Sequence, residues 1–273
     1  MDEWIKVVIL GIVEGITEFL PISSTGHLLV ASALLDFKNS VNGTFEIFIQ
    51  IGAVVAVIGF YRRDLSTQVR TVRNNPGVRH LWAAIVVASI PAAAGFLLRG
   101  EIKDRLFPPD TAPLIVAITL ILGGIAFLLV ERRPSADGGA TTNGLSDLTL
   151  KQALMIGLVQ AVALIPGVSR SGASIVGAML VGVNRRVATT FSFYLAIPVL
   201  GGATILDLIL SLDEIGTDEL AYLLLGAVIS GIIAWVSIGW LLRYVARNNF
   251  TAFGYYRIVG GVIIIVLLVA GVL

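Results

Sequence analysis

The sequence predicts an all-α integral membrane protein, with six transmembrane helices and two re-entrant helix-loop-helix hairpins arranged as an inverted-topology repeat. Three observations predict it. Of the 273 residues 56% are hydrophobic and 14% charged, with a mean hydropathy of +0.92, whereas a soluble domain carries roughly 25% charged residues. Apolar runs at 45–61, 81–98, 113–130, 187–210, 219–242 and 254–273 approach the ~20 residues needed to cross a hydrocarbon core. Finally, a polar knot interrupts the apolar sequence twice. Ser23-Ser24-Thr25-Gly26-His27 follows Glu14 and Glu18, and Ser169-Arg170-Ser171-Gly172 occupies the same place in a second, similar segment.

The repeat is in register. At an offset of 146, Gly11 falls on Gly157, Glu14 on Gln160, Ser23 on Ser169, Thr25 on Ser171 and Gly26 on Gly172, and Thr44-Phe45 later falls on Thr190-Phe191. The apolar runs are rich in Ala, Gly, Leu and Ile without alternation, which argues for helices and against a barrel.

Taken in order, residues 4–20 lead into the first knot, and only Leu28 to Leu35 follow as an apolar run. Eight helical residues rise about 12 Å, far short of a core of roughly 30 Å. The equivalent run 172–183 rises about 18 Å and also falls short. Both pairs are therefore read as re-entrant hairpins, whose irregular backbone is tolerated where protein or a wet cavity surrounds it. Three crossings follow each hairpin. The polar, Gly/Ser/Thr-rich segment 132–149 reads as a cytoplasmic linker between a first repeat, 1–131, and a second, 150–273.

An odd number of crossings per unit inverts the second unit relative to the first. Loop charge sets the orientation. Segments 62–80, 132–151, 184–186 and 243–252 hold Arg62, Arg63, Arg70, Arg73, Arg79, Arg132, Arg133, Lys151, Arg185, Arg186, Arg243 and Arg247. The opposite side holds Lys6, Lys38, Arg99, Lys103 and Arg105, with an acidic loop from Asp213-Glu214 to Asp218-Glu219. The positive-inside rule makes the first side cytoplasmic and places both termini outside. The opening Met1-Asp2-Glu3, without a basic stretch, does not read as a signal peptide. A net charge of +1 with no basic tail gives no reason to expect nucleic acid, and the absence of cysteine removes disulfides and thiolate metal sites. Gly201-Gly202 and Gly260-Gly261 would allow close helix packing.

Glu14 and Glu18, four apart, share one helix face. Two adjacent carboxylates in a low-dielectric site need a shared proton, an arginine or a divalent cation, unless backbone groups in a polar helix interface satisfy them. Oxygen ligands suit Mg²⁺ or Ca²⁺. His27, on the loop three residues after Ser24, is either a packing residue or, with Ser23, Ser24 and Thr25, part of a nucleophile-and-base set. Arg170 lies at a helix N-terminus, where free N–H groups and the dipole favour anions. Its guanidinium adds bidentate phosphate recognition, or pairs with Glu14 or Glu18 across the repeat interface. Glu46 and Gln50 line one face of the first crossing and either help to hold a metal or bond to the hairpin. Arg257 either reaches a phosphate or snorkels to the cytoplasmic interface.

EGITEFLPISSTGH at 14–27 and PGVSRSGAS at 166–174 resemble the two signature motifs of the bacitracin-resistance type undecaprenyl-diphosphate phosphatases. FEIFIQIG at 45–52 and FSFYLAIP at 191–198 extend the resemblance over nearly the whole chain. Ser174 stands where the family usually has threonine, which keeps a hydroxyl. The resemblance implies hydrolysis of undecaprenyl diphosphate to the monophosphate, recycling the lipid carrier of cell-wall synthesis and giving bacitracin resistance. It also implies a divalent cation, Mg²⁺ or Ca²⁺, and a multi-pass protein of the bacterial plasma membrane with its active site facing outward. By position, Glu14 and Glu18 would bind the metal or position water. Ser24 and His27 would be nucleophile and base, or a proton relay, acting with Arg170. Ser169, Ser171 and Ser174 would grip the diphosphate, with Ser23, Thr25, Glu46 and Gln50 in the same substrate-binding set. The inverted repeat itself motivates a rival, a transporter or flippase of a lipid phosphate or other anion. A structural membrane protein without a pocket is a third reading. A homodimer is left open.

Overall fold

The structure, a computed structural model, describes residues 1–37, 44–97, 111–133, 140–211 and 217–273. Lys38, Arg99, Lys103, Arg105, Asp213 and Glu214 lie outside the described residues, as do the middle of the 132–149 linker and the side chains of Asp218 and Glu219. Among the described residues the secondary structure is helical, apart from one isolated bridge between Thr142 and Val183. The helices are α1 Glu3–Thr17, α2 Ser24–Leu35, α3 Thr44–Phe60, α4 Arg62–Thr71, α5 Pro76–Leu97, α6 Ala112–Glu131, α7 Leu150–Ala161, α8 Arg170–Leu180, α9 Arg185–Ser211, α10 Thr217–Val245 and α11 Thr251–Val269.

Five of these, α5, α6, α9, α10 and α11, are long and apolar enough to cross a membrane. The sixth predicted span, 45–61, is α3; its axis turns by 65° into α4 at Tyr61. The bend falls where the sequence changes from apolar to Arg62-Arg63-Asp64, and α4 buries none of its residues. The protein is thus a multi-pass, all-α membrane protein.

The two short-helix pairs appear where the lengths predict them. Asp2 caps α1 through Trp4 N, and α1 ends at Glu18 before a turn containing Pro21. Thr149 and Gln152 form a capping box at the start of α7, the reciprocal arrangement that satisfies two free backbone donors. The second hairpin turns at Pro166-Gly167, where Gly167 has φ +83°, a conformation that glycine adopts without a Cβ penalty.

Packing is reciprocal between the halves. α1 packs on α10 and α7 on α5, while α3 packs on α10 and α9 on α5. Each half's short helix and first long helix therefore bury themselves against the other half's second long helix. α6 and α11 pack on each other. Small residues permit the close crossings: a Cβ on Gly157 would strike the Ala88 carbonyl, and one on Gly11 would sit 2.9 Å from the Gly226 carbonyl. Of the other glycines expected at close contacts, Gly261 meets the Ala117 carbonyl, whereas Gly202 and Gly260 have nothing within 4 Å of a Cβ.

The loops assigned to the basic side gather at one end of the bundle. His80 Nε2 lies 2.9 Å from Leu148 O, and Gln152 Nε2 donates to Val181 O. Glu131 accepts from Arg185 and from Phe250 N, tying the ends of α6, α9 and α11 together.

Candidate functional site

The turns of the two hairpins meet. Glu18, at the C-terminus of α1 and 6% exposed, uses both carboxylate oxygens. Oε2 accepts from Ser24 Oγ at 2.6 Å and Oε1 from Arg170 Nη2 at 3.0 Å. One carboxylate therefore joins the hydroxyl of the first polar knot to the guanidinium of the second. Arg170 also donates from Nη1 to Ser192 O at 3.1 Å and lies over the Phe19 ring. Its Nε is buried and has no hydrogen-bond partner.

The serines mostly build the frame. Ser169 Oγ caps α8 by accepting from Gly172 N, and lies 3.0 Å from Ser171 Oγ. Ser171 Oγ donates to Leu20 O, fastening the second knot to the first hairpin's turn. Ser174 Oγ reaches Ser192 Oγ at 2.7 Å. Ser23 Oγ accepts from Gly26 N, and its backbone sits at φ 73°, an uncommon conformation for a non-glycine residue. That bend presents Ser24 to Glu18.

A cavity of about 460 Å³ opens on this cluster. Glu18, Ser23, Ser24, Thr25, Gln50, Ser169 and Arg170 line it, so seven of the predicted site residues share one cavity. Ser89 and Gln160 add polar groups, and small or apolar residues of α5, of α9 and of the turn that follows α7, such as Ala92, Gly202 and Leu164, form the remainder.

Ser171, Ser174, Glu14, Glu46 and His27 do not line it. Ser171 and Ser174 are buried behind the wall in the contacts given above. Glu46 stands in the first turn of α3.

Two expectations are corrected. His27 is not paired with Ser24: Nδ1 lies 2.7 Å from Ser23 O, and Nε2 lies 2.7 Å from Tyr256 Oη, with the two rings stacked. The helical twist of α2 turns His27 away from the cavity, and Glu18 takes the place beside Ser24 expected of the histidine. Arg257 does not snorkel. It is 2% exposed and donates to the carbonyls of Pro21, Thr119 and Leu120, where it braces the first hairpin's turn. Tyr256 and Gln160 were not selected from the sequence. The repeat offset that sets Gln160 on Glu14 was the available signal for Gln160, and Tyr256 had none.

Glu14 bears on a cation. It is 0% exposed, and neither carboxylate oxygen has a hydrogen-bond partner. Leaving a buried charge uncompensated costs several kcal/mol, so a cation or a proton must complete this group. No cluster of three or more His, Cys, Asp or Glu suited to a metal exists among the described residues. Mg²⁺, however, is commonly held by one or two carboxylates together with water and substrate phosphate. Glu14 supplies one unpartnered carboxylate for such a site, while both oxygens of Glu18, one helical turn on, already pair with Ser24 and Arg170.

An arginine, a serine hydroxyl and a carboxylate meet at one cavity of a multi-pass membrane protein, a grouping suited to phosphate chemistry. The comparisons with known proteins agree. The family model for the bacitracin resistance protein BacA matches residues 7–263. The chain is 45% identical to the undecaprenyl-diphosphatase of Deinococcus radiodurans, over 99% of this chain and 97% of the relative. It is 44% identical to undecaprenyl-diphosphatase 1 of Paraburkholderia xenovorans, over 98% and 96%, and 46% identical to the undecaprenyl-diphosphatase of Methylobacillus flagellatus, over 96% of each. The chain belongs to the BacA family.

Proposed function

We propose that this chain hydrolyses undecaprenyl diphosphate to undecaprenyl phosphate and inorganic phosphate, so recycling the lipid carrier of cell-wall synthesis and conferring bacitracin resistance. The observation that carries the reading is Glu18, which holds Ser24 and Arg170 at the wall of one cavity. The diphosphate displaces Glu18 from Arg170, because a doubly charged anion offers the guanidinium a stronger bidentate partner. Glu18, released, takes the Ser24 proton. Ser24 Oγ attacks the distal phosphorus, the bridging P–O bond breaks, and undecaprenyl phosphate departs with its chain in the bilayer. Water then cleaves the phosphoserine and releases phosphate, while Arg170 and the N-terminus of α8 stabilise the charge that develops.

Mg²⁺ or Ca²⁺, when bound, supplies charge neutralisation and polarises a phosphoryl oxygen; Glu14 would hold it, with Glu18 adjacent.

The position of the cavity supports an outward-facing site. It is lined by Ser89, Ala92 and Ala93 in the second half of α5 and by residues 198–206 in the second half of α9. Both helices start at the basic end, so the cavity lies in the half of the bundle farther from that end. With the basic loops in the cytoplasm, the site opens toward the outer half of the plasma membrane. The reciprocal packing of the two halves supports the inverted repeat, with 132–149 as the cytoplasmic linker.

Phosphate release from undecaprenyl diphosphate by purified protein in detergent tests this, with Mg²⁺, with chelator and beside Glu18→Gln. Release that needs the metal and falls at least 100-fold in the variant, on the scale of losing a transition-state charge partner, is the expected result. No release from folded wild-type protein contradicts it. A phosphorylated Ser24 trapped by rapid quench is expected for the covalent route, and full turnover by Ser24→Ala would exclude it.

A further inference from the structure

Gln160 stands at the last turn of α7, at the position that matches Glu14 in the repeat. It is 1% exposed, and neither its carboxamide oxygen nor its nitrogen has a hydrogen-bond partner. It also lines the cavity, together with Ser169 and Arg170. Buried polar side chains are nearly always hydrogen-bonded, and an unpaired one requires an explanation. Gln160 could have been built from apolar side chains, as its neighbours Ala161, Ala163 and Leu164 at the same cavity are.

The two repeat-related side chains are both buried and unpaired, but they differ in charge and in place: Gln160 lines the cavity and Glu14 does not. Glu14 offers two anionic acceptors and suits a cation. Gln160, nearly the same shape, offers two N–H donors and one neutral acceptor and suits an anion. A carboxylate at 160 would face the same substrate as Glu18 and add repulsion against a diphosphate.

We propose that Gln160 is a diphosphate-binding residue: its Nε2 donates to a phosphoryl oxygen from the wall that carries Arg170, as the anion-binding counterpart of Glu14. The inference rests on the phosphatase reading of the cavity and adds a contact to it. Gln160 holds the ground state and the transition state alike, so its loss raises KM more than it lowers kcat.

The test uses the full chain in detergent with Mg²⁺ and a non-hydrolysable probe, methylenediphosphonate, whose Kd is measured by calorimetry for wild type, Gln160→Met and Gln160→Glu. Gln160→Met keeps the length and removes the amide; Gln160→Glu keeps the shape and reverses the donor. Losing one hydrogen bond to a charged acceptor predicts a Kd about tenfold weaker in Gln160→Met and weaker still in Gln160→Glu. KM for undecaprenyl diphosphate should rise in parallel, with kcat within about threefold of wild type by the same argument. Wild-type Kd values in either folded variant overturn the proposal and leave the phosphatase reading intact. A lowered melting temperature with unchanged Kd assigns Gln160 to packing and overturns it as well. Should wild-type protein itself fail to bind the probe and to release phosphate, the reading of the cavity fails and this inference with it.

Discussion

The two hairpins share a scaffold and differ in charge. In both, a short helix ends in a turn, a serine caps the next helix, and glycines press against a long helix of the other half. Ser23 accepts from Gly26 N as Ser169 accepts from Gly172 N. Yet the first hairpin carries Glu14, Glu18 and Ser24, and the second carries Gln160 and Arg170. With the acids on one pair of short helices and the arginine on the other, neither pair alone brings Glu18 and Arg170 together. The Glu18–Arg170 pair exists only when the halves dock. The backbone differs too: Ser23 sits at φ 73°, Ser169 at φ −62°. The unusual backbone falls on the half that carries Ser24, and the relaxed one on the half that carries Arg170.

Breaking the charge partition is expected to have the largest effect. Arg170→Ala should lower kcat/KM by about 10³-fold, the scale seen when a preorganised charge partner is lost, while Arg170→Lys, lacking the planar fork, should recover only part of it. Ser24→Ala comes next and should leave binding of methylenediphosphonate within about threefold of wild type, because the hydroxyl acts in bond formation and not in holding the ground state. Gly157→Ala drives a methyl into the Ala88 carbonyl and should cost about 1–3 kcal/mol, as overpacking does, seen as a lower melting temperature in detergent. Gly11→Ala meets a looser contact and should cost less. Smallest is Tyr256→Phe, which removes one hydrogen bond to His27, worth about 0.5–1.5 kcal/mol. It should leave turnover within about tenfold of wild type by the same figure. A loss as large as that of Ser24→Ala would return His27 to a role at the reacting centre.

The spans were legible because hydrophobic length has one main meaning in a membrane, and α5, α6, α9, α10 and α11 fall on the runs that predicted them. The short helices were legible as runs too short to cross. The ion pair was legible in kind, as an arginine of one repeat facing an acid of the other, but the choice of Glu18 depended on the docking of the two turns. Ser24 with Glu18 was missed for a related reason. Their six-residue separation spans an irregular turn, where helical periodicity does not apply, whereas the nearby histidine invited a familiar pairing. Arg257 misled because an arginine near a helix end normally reaches water. Its carbonyl partners come from distant segments, Pro21 and Thr119, which no local pattern announces.

A double-mutant cycle on kcat/KM for phosphate release from undecaprenyl diphosphate tests most directly whether the two hairpins make one site, using Glu18→Gln, Arg170→Ala and both together. Residues that act as a unit are strongly non-additive. The double variant should therefore lose about as much as the worse single variant. Losses that multiply, or two singles that retain wild-type turnover, would show that the acids and the arginine work apart and would contradict the account.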